Sequence, residues 1–306
     1  LLLADTPGAL EGVEHFTRRM SGAEVNVAIG LTRLGFPVEY LTRLGDDPFG
    51  HYIEQALKDN GIGTNLLTYD PVYRTGIQLK EYVKDGHDPA APYYRKGSAA
   101  SHLSIREIDA LDLGEIGLVH VTGIPPALSK EAREATYRLM ERARKAQIPV
   151  TFDPNLRPAL WENDEMMRKV LNDLANYADV VLPGIGECEI LAGTTDKEKA
   201  ADFYHQKGAA LVVIKDGKNG AYVSEKKENG EITRDMIPGY PVKKVVDTVG
   251  AGDGFAVGVL SGLLKGLPVS ECAKRGNAIG SIQVQHRGDN EGLPTEEILQ
   301  TYMLGN

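Results

Sequence analysis

The stretch DTVGAGDGF, residues 247–255, determines how this sequence is interpreted. We predict a strand over 242–246 before it and a helix from 252 to 264 after it, so the glycines form a strand-to-helix turn. The small residues Gly250, Ala251 and Gly252 let backbone N–H groups converge, and the first helical turn adds unpaired donors and a positive dipole end. This geometry is typical of a phosphate-binding loop at the carboxyl end of a strand, where open α/β sheets bind ligands.

Asp253 lies in the first turn of the predicted helix, and its carboxylate has two interpretations. It complements the helix dipole, which is worth a few tenths to about 1 kcal/mol, or it accepts a proton from a hydroxyl that attacks a phosphoryl group. Spacing alone leaves both open. The loop contains neither GxxxxGK[ST] nor GxGxxG, and no acidic residue follows about 20 positions later at a strand end, so a dinucleotide-dependent dehydrogenase is disfavoured.

Strand and helix patterns alternate along most of the chain, which predicts an α/β fold with a doubly wound, mostly parallel sheet flanked by helices. In the first predicted helix, 21–34, Ser21 and Glu24 have the spacing of a capping box, and Gly35 ends the helix. The other predicted strands are 118–121, 149–152, 179–182 and 211–214, and the other predicted helices are 129–146, 162–176, 269–285 and 295–303.

Residues 71–100 break this alternation. Two extended segments, 75–83 and 93–96, flank a turn-rich stretch at 84–89, which indicates a hairpin. With a short strand near 13–16 they predict a small β lid made of residues 5–20 plus 71–100. The core is then 21–70 plus 101–306, with a first core strand expected before residue 1. An edge hairpin of the core is the alternative.

Composition limits the class of protein. The 306 residues carry 34 Lys and Arg against 43 Asp and Glu, a net charge of −9. This disfavours binding to nucleic acid or to an anionic membrane, and no apolar run is long enough to span a bilayer. Cys188 and Cys272 form no CxxC motif, which favours a reducing compartment. We therefore expect a cytoplasmic protein whose partners are small molecules.

Three segments together resemble the ribokinase-like (PfkB) carbohydrate kinases. Residues 247–255 resemble the family's carboxy-terminal signature, SGAEVNVA (21–28) is similar to its GGxxxNxA segment, and DPNLR (153–157) is similar to its DxNxR strand end. The resemblance implies a ribokinase-like fold with a β lid, ATP and Mg²⁺ as cofactors, K⁺ as a further cation, and a homo-oligomer formed through the lid. It also implies that Asp253 is the general base and that Gly250, Ala251 and Gly252 donate to the transferring phosphoryl group.

The resemblance assigns further roles by position. It places a monovalent cation at Asp247, and Mg²⁺ at Glu187 through water, although GIGE (184–187) lacks the Asn of the family's NxxE motif. Two of the segments implied to bind the nucleotide have a simpler interpretation: residues 215–221 form an ordinary hairpin turn, and Asn277 is an amide on a helix surface. The residues implied to bind ATP are Lys215, Gly217, Gly220, Gly250, Gly252, Asn277 and Gly280.

The substrate side resembles the sugar-acid kinase branch that acts on 2-keto-3-deoxygluconate. A carboxylate substrate needs a cation, and an arginine supplies a bidentate, charge-assisted pair. Fructokinases share DPNLR and are the main alternative; a non-catalytic sugar or nucleotide sensor is a remote one. A solvated surface pair is the alternative interpretation of Arg95 and Lys96, and Gln78 replaces a Tyr of some branch members. The implied substrate-binding residues are Gly22, Asn26, Gln78, Tyr93, Arg95, Ile124, Arg157 and Asp253.

Overall fold

A six-stranded sheet forms the centre of the fold in the computed structural model, which describes residues 1–83 and 89–305. Its first four strands run parallel, and two antiparallel strands extend one edge. In order across the sheet these strands are β7 (Val119–Thr122), β8 (Val150–Asp153), β9 (Val180–Val181), β10 (Leu211–Lys215), β11 (Ala221–Lys226) and β12 (Ile232–Ile237).

Helices cover both faces of this sheet. The alternation of side chains along β10 shows it: Leu211 and Val213 enter one apolar cluster, and Val212 and Ile214 enter the other. A parallel sheet buried on both faces is the doubly wound arrangement that the sequence predicts, and it is confirmed. The helices are α1 (Ala23–Arg33), α2 (Pro48–Asp59), α3 (Ile105–Asp109), α4 (Pro125–Leu128), α5 (Lys130–Lys145), α6 (Asp164–Leu174), α7 (Ile185–Ala192), α8 (Lys197–Gln206), α9 (Ala251–Leu264), α10 (Val269–Gln283) and α11 (Glu296–Leu304).

A separate small sheet contains the predicted hairpin. Its strand order is β2 (Phe16–Arg18), β1 (Leu2–Ala4), β5 (Ile77–Lys80) and β6 (Tyr93–Tyr94). The hairpin pairs Gln78 with Tyr93, and residues 84–88 of its predicted turn lie outside the described residues. The boundaries of lid and core stay a prediction. The sequence analysis assigned residues 1–4 to neither, and strand β1 pairs inside the small sheet. A two-stranded parallel sheet joins β3 (Thr42–Gly45) to β4 (Leu67–Asp70).

Two local predictions are wrong. Residues 242–246 form no strand. The preceding strand β12 pairs antiparallel with β11 and ends the sheet on that side. The chain then crosses to α10, where Val246 N–H donates to the Val284 carbonyl at 2.7 Å. The capping box at α1 is absent: Gly22 is the N-cap, the Ser21 hydroxyl donates to Asp289, and Glu24 accepts from Thr122. Both side chains prefer partners that are distant in sequence.

Cys188 and Cys272 are both buried and are free cysteines, joined in no disulfide. Within residues 1–83 and 89–305, no helix is both long and apolar enough to cross a lipid bilayer.

Candidate active site

Asp253 is the third residue of α9, and its side chain is held by two amides. Asn26 Nδ2, from α1, donates to Oδ2 at 2.7 Å, and Asn155 Nδ2, from the end of β8, donates to Oδ1 at 3.4 Å. Both contacts come from neutral groups. Asn26 is fixed in turn by Asn290, whose Nδ2 donates to Asn26 Oδ1 at 3.0 Å. Among the residues that the structure describes, the Asp253 carboxylate is therefore oriented by amides and bonded directly to no cation.

The surroundings of Asp253 favour its protonated form. Burial raises the pKa of this carboxyl to about 7, although the hydrogen bond from Asn26 acts in the opposite direction. A carboxylate with a pKa near neutrality exchanges a proton readily with a bound hydroxyl. Dipole complementation, the simpler interpretation, gives no reason to bury the group.

The glycine loop leaves an open space in front of α9. Gly250 is the N-cap with φ +78°, and a Cβ there would lie 2.1 Å from the Asp289 carbonyl oxygen. At Gly252 a Cβ would meet only Lys215 Nζ, at 3.8 Å. The first turn of a helix also presents N–H groups with no intrahelical acceptor. Ala251 begins the helix between them, so the three residues form a cradle that fits a phosphate group.

Lys215 brings positive charge to this cradle. It ends β10, and its Nζ donates to Asp153 Oδ2 at 2.7 Å. Burial alone lowers the pKa of Lys215, but Asp153 and Glu187 outweigh that effect and the pKa is raised, so the ammonium stays charged. The structure thus brings Lys215 and Gly252, two residues that the resemblance implies bind ATP, close together.

Glu187 lies at the start of α7 and accepts two backbone hydrogen bonds, from Gly184 N at 2.6 Å and from Leu156 N at 2.8 Å. Burial raises the pKa of this carboxyl, and Lys215 opposes the shift. No group of three or more His, Cys, Asp or Glu in the described ranges converges on one point. Glu187 and Asp153, which both raise the pKa of Lys215, are acidic groups that the structure places beside the lysine of the cradle.

The residues expected to bind the sugar acid come from several elements of the core and of the small sheet. Arg157 is exposed, and its Nη1 donates to the neighbouring Leu156 carbonyl at 2.8 Å. Arg95 is half-buried, with its guanidinium 5.9 Å from the centre of the Tyr93 ring. Neither arginine forms an ion pair with any residue that the structure describes. Gln78 pairs with Tyr93 across the hairpin, Gly22 begins α1, and Ile124 is buried at the start of α4.

The residues expected near the nucleotide lie along β10–β11 and α10. Gly217 and Gly220 belong to the hairpin turn between the two strands, so the ordinary-turn interpretation describes their local geometry. Asn277 is buried rather than exposed: its Nδ2 donates to the carbonyls of Ile237 and Pro238 at 3.1 and 3.0 Å. A Cβ at Gly280 would lie 3.3 Å from the Ala251 carbonyl oxygen, so Gly280 lets α10 approach the cradle.

Asp247, the expected ligand of a monovalent cation, contacts an ammonium group instead. Lys80 Nζ, from β5 of the small sheet, lies 2.9 Å from Asp247 Oδ2 and 2.9 Å from Asp289 Oδ1. A separate K⁺ at this carboxylate does not fit while the lysine occupies the position between the two acids.

The sequence missed Lys80, Asp289, Asn155 and Asn290. Asn155 lies inside the DPNLR motif, and its left-handed φ of +42° is the kind of backbone constraint that an Asn tolerates. Its Oδ1 is buried and has no hydrogen-bond partner within residues 1–83 and 89–305. Lys80 and Asp289 carried no local signal, because their partners are far away along the chain.

Comparisons with known proteins identify the family of this chain. Residues 3–296 match the model of the pfkB family carbohydrate kinases. The chain is 45% identical over 304 residues to a 2-dehydro-3-deoxygluconokinase of Bacillus subtilis (strain 168), covering 99% of this chain and 92% of that one. It resembles the crystal structure of a PfkB protein from Polaromonas sp. JS666, with 46% identity, a TM-score of 0.88 and coverage of 98% and 95%.

A double mutant of fructokinase from Vibrio cholerae O395, in its fructose-, ADP- and potassium-bound form, is also similar. It has 27% identity, a TM-score of 0.85 and coverage of 99% and 94%. The family match spans nearly the whole chain and includes all three sequence segments that carry the resemblance. This chain is a member of the pfkB family of carbohydrate kinases.

Proposed function

We propose that this protein transfers the γ-phosphoryl group of ATP to the terminal hydroxyl of 2-keto-3-deoxygluconate (2-dehydro-3-deoxygluconate), giving 2-keto-3-deoxy-6-phosphogluconate. The observation that carries the proposal is the buried Asp253 carboxylate with a pKa near 7, in the first helical turn beside the Gly250–Gly252 cradle. A carboxylate next to a phosphate cradle repels the anion. This unfavourable placement is explained if Asp253 accepts the proton of the acceptor hydroxyl.

The proposed reaction follows from this placement. The substrate hydroxyl gives its proton to Asp253 as its oxygen forms a bond to the γ-phosphorus. The bond from that phosphorus to the bridging oxygen breaks, and ADP keeps the electron pair. Backbone N–H groups of the cradle and the Lys215 ammonium stabilise the charge on the transferring group. Mg²⁺, when bound, neutralises phosphate charge, and Glu187 and Asp153 would orient its water.

Substrate choice rests on the two arginines that lack an ionic partner in the described structure. A sugar acid brings a carboxylate that Arg157 or Arg95 can bind as a charge-assisted pair. Tyr93 supplies an apolar ring and a hydroxyl, and the partnerless Oδ1 of Asn155 can accept a hydrogen bond from a substrate hydroxyl. The name of the Bacillus subtilis relative supports the same substrate.

The first test is an ADP-release assay with ATP and Mg²⁺ against 2-keto-3-deoxygluconate, fructose, ribose and gluconate. We expect kcat/KM for 2-keto-3-deoxygluconate to exceed the others by at least about a hundredfold, which is roughly 2.7 kcal/mol of discrimination. A preference for fructose would keep the kinase and reject the sugar acid. No turnover of any of the four would reject the proposed substrate class.

Fructokinase is the second candidate, supported by the similar Vibrio cholerae structure. The variant Arg157→Ala separates the two: with the sugar acid, kcat/KM should fall by about a hundredfold, and with fructose it should change little. Arg168→Ala, an exposed arginine on α6, is the control and should change neither. Equal losses on both sugars would mean that Arg157 supports the fold around β8 and does not bind the carboxylate.

Assembly and location belong to the same proposal. A homo-oligomer formed through the small sheet would cover Tyr94 of β6, which is 63% exposed. Light scattering of the purified protein tests this, and a monomer at assay concentration would reject it. A cytoplasmic location stays a prediction from the sequence.

A further inference from the structure

The feature that carries this inference is a buried lysine that joins the small sheet to the phosphate loop. Lys80 is the last residue of β5, and its side chain is only 4% exposed. Its Nζ lies 2.9 Å from Asp247 and 2.9 Å from Asp289. Burial alone lowers the pKa of Lys80, but Asp289 and Asp247 outweigh it and hold the pKa above its usual value, so the group is charged.

The two carboxylates anchor the two segments that form the cradle. Asp247 Oδ1 accepts from Val249 N at 3.0 Å, and its Oδ2 accepts from Gly288 N at 3.3 Å. Asp289 contributes the carbonyl oxygen against which Gly250 packs. The fully buried Gln283 donates to the Gly288 carbonyl at 2.7 Å. The positions of loop 247–252 and segment 286–292 are therefore set together.

Charge balance requires a cation at this place. Two largely buried carboxylates repel each other, and an unpaired buried charge is strongly destabilising. They would also repel a phosphate group in the adjacent cradle. The ammonium of Lys80 bonds to both carboxylates at once. Ammonium and potassium ions are similar in size and charge, so a lysine head group and a monovalent metal ion can fill the same kind of position.

We propose that the Lys80 ammonium serves as a built-in monovalent cation that holds the phosphate loop in its binding geometry. Lys80 is then a positioning residue, and the protein needs no K⁺ for turnover. The same bond links lid strand β5 to the cradle. A second contact to segment 286–292 accompanies it, since Arg287 donates to the Ala4 carbonyl of β1 at 3.0 Å and lies 3.8 Å from the Tyr82 ring.

The experiment compares monovalent cations at constant ionic strength, with ATP and sugar acid supplied free of K⁺. Wild-type turnover should be the same in K⁺ and in choline. Lys80→Ala removes the charge and opens a space, so its kcat in choline should fall by about tenfold or more and recover in K⁺, Rb⁺ or NH₄⁺. Lys80→Met removes the charge but fills the space, so it should fall without recovery. Lys226→Ala, the exposed last residue of β11, is the control and should behave as wild type.

Three results would overturn the inference: activation of the wild type by K⁺, full activity of Lys80→Ala in choline, or a folded Lys80→Ala that no cation rescues. If Lys80→Ala does not fold, the wild-type comparison still decides. The inference rests on the proposed function only because turnover is the assay. Thermal unfolding tests the cation role of Lys80 without that assay. K⁺ should raise the Tm of Lys80→Ala and leave that of the wild type unchanged. If the wild type phosphorylates none of the sugars with any cation, the proposed function is rejected. The Tm difference would then still support the role of Lys80 as a built-in cation.

Discussion

Asp247 and Asp253 lie at either end of the same glycine-rich loop, and their surroundings are opposite. Asp247 is ion-paired to the Lys80 ammonium and accepts two backbone hydrogen bonds. Asp253 is held by the side-chain amides of Asn26 and Asn155, and burial raises its pKa to about 7. In our two proposals the first carboxylate holds the loop through Lys80, and the second takes the proton of the substrate hydroxyl.

The largest effect should come from Asp253→Asn. Without the base, kcat should fall by about a hundredfold to ten-thousandfold, while ATP binding changes little. Asp164→Asn, an exposed acid in the first turn of α6, is the matched control and should leave kcat unchanged. Wild-type turnover by Asp253→Asn would remove the functional difference between the two loop carboxylates.

The pH dependence should reflect Asp253 as well. Because the base must be ionised to accept a proton, kcat/KM should fall by about tenfold for each pH unit below the pKa, which lies near 7. Steady-state rates between pH 5 and 8 measure this. A profile that stays flat down to pH 5 would mean that the carboxylate is ionised more easily than its burial implies.

A smaller loss is expected at the other end of the loop. Asp247→Asn keeps a hydrogen-bonding side chain but removes its charge from the Lys80 pair, which costs about 1–2 kcal/mol, or about tenfold in kcat. Initial rates at saturating ATP and sugar acid measure it. A loss as large as that of Asp253→Asn would show that the two carboxylates share one role.

The smallest expected effect is on the stability of the fold and comes from the ionisation of Asp253. Because the pKa of Asp253 is higher in the folded protein than in the unfolded chain, ionisation of this carboxyl destabilises the fold, by about 1.4 kcal/mol for every tenfold difference between the two acid constants. The stabilisation of the fold by protonated Asp253 is fully present below the pKa of the unfolded chain, near 4. It is lost as the pH rises through the pKa of the folded protein, about 7. Asp253→Asn should therefore gain Tm over wild type by several degrees at pH 8 and least at pH 4, measured by calorimetry. A difference in Tm that does not change with pH would contradict the raised pKa.

The sequence predicted the parts of the fold that depend on local pattern. The alternation of strand and helix patterns was sufficient to place α5, predicted over 129–146, and the glycine signature placed α9 and Asp253. It failed where a side chain bonds across the molecule. Ser21 looked like a cap, yet its partner Asp289 is distant in sequence. The partners of Lys80 belong to loops that come together only in the folded chain, so no local pattern could reveal them.

Gly250 and Gly252 show how this loop would respond to random mutagenesis. A side chain at 250 would need a left-handed backbone and would collide with the Asp289 carbonyl, so such variants should fail to accumulate as folded protein. A methyl group at 252 meets only Lys215 Nζ, at ordinary contact distance, so Gly252→Ala should express normally and exclude the nucleotide phosphate. A growth selection would score both positions as intolerant. Only a parallel measurement of protein abundance would separate the glycine that the fold requires from the glycine that the substrate requires.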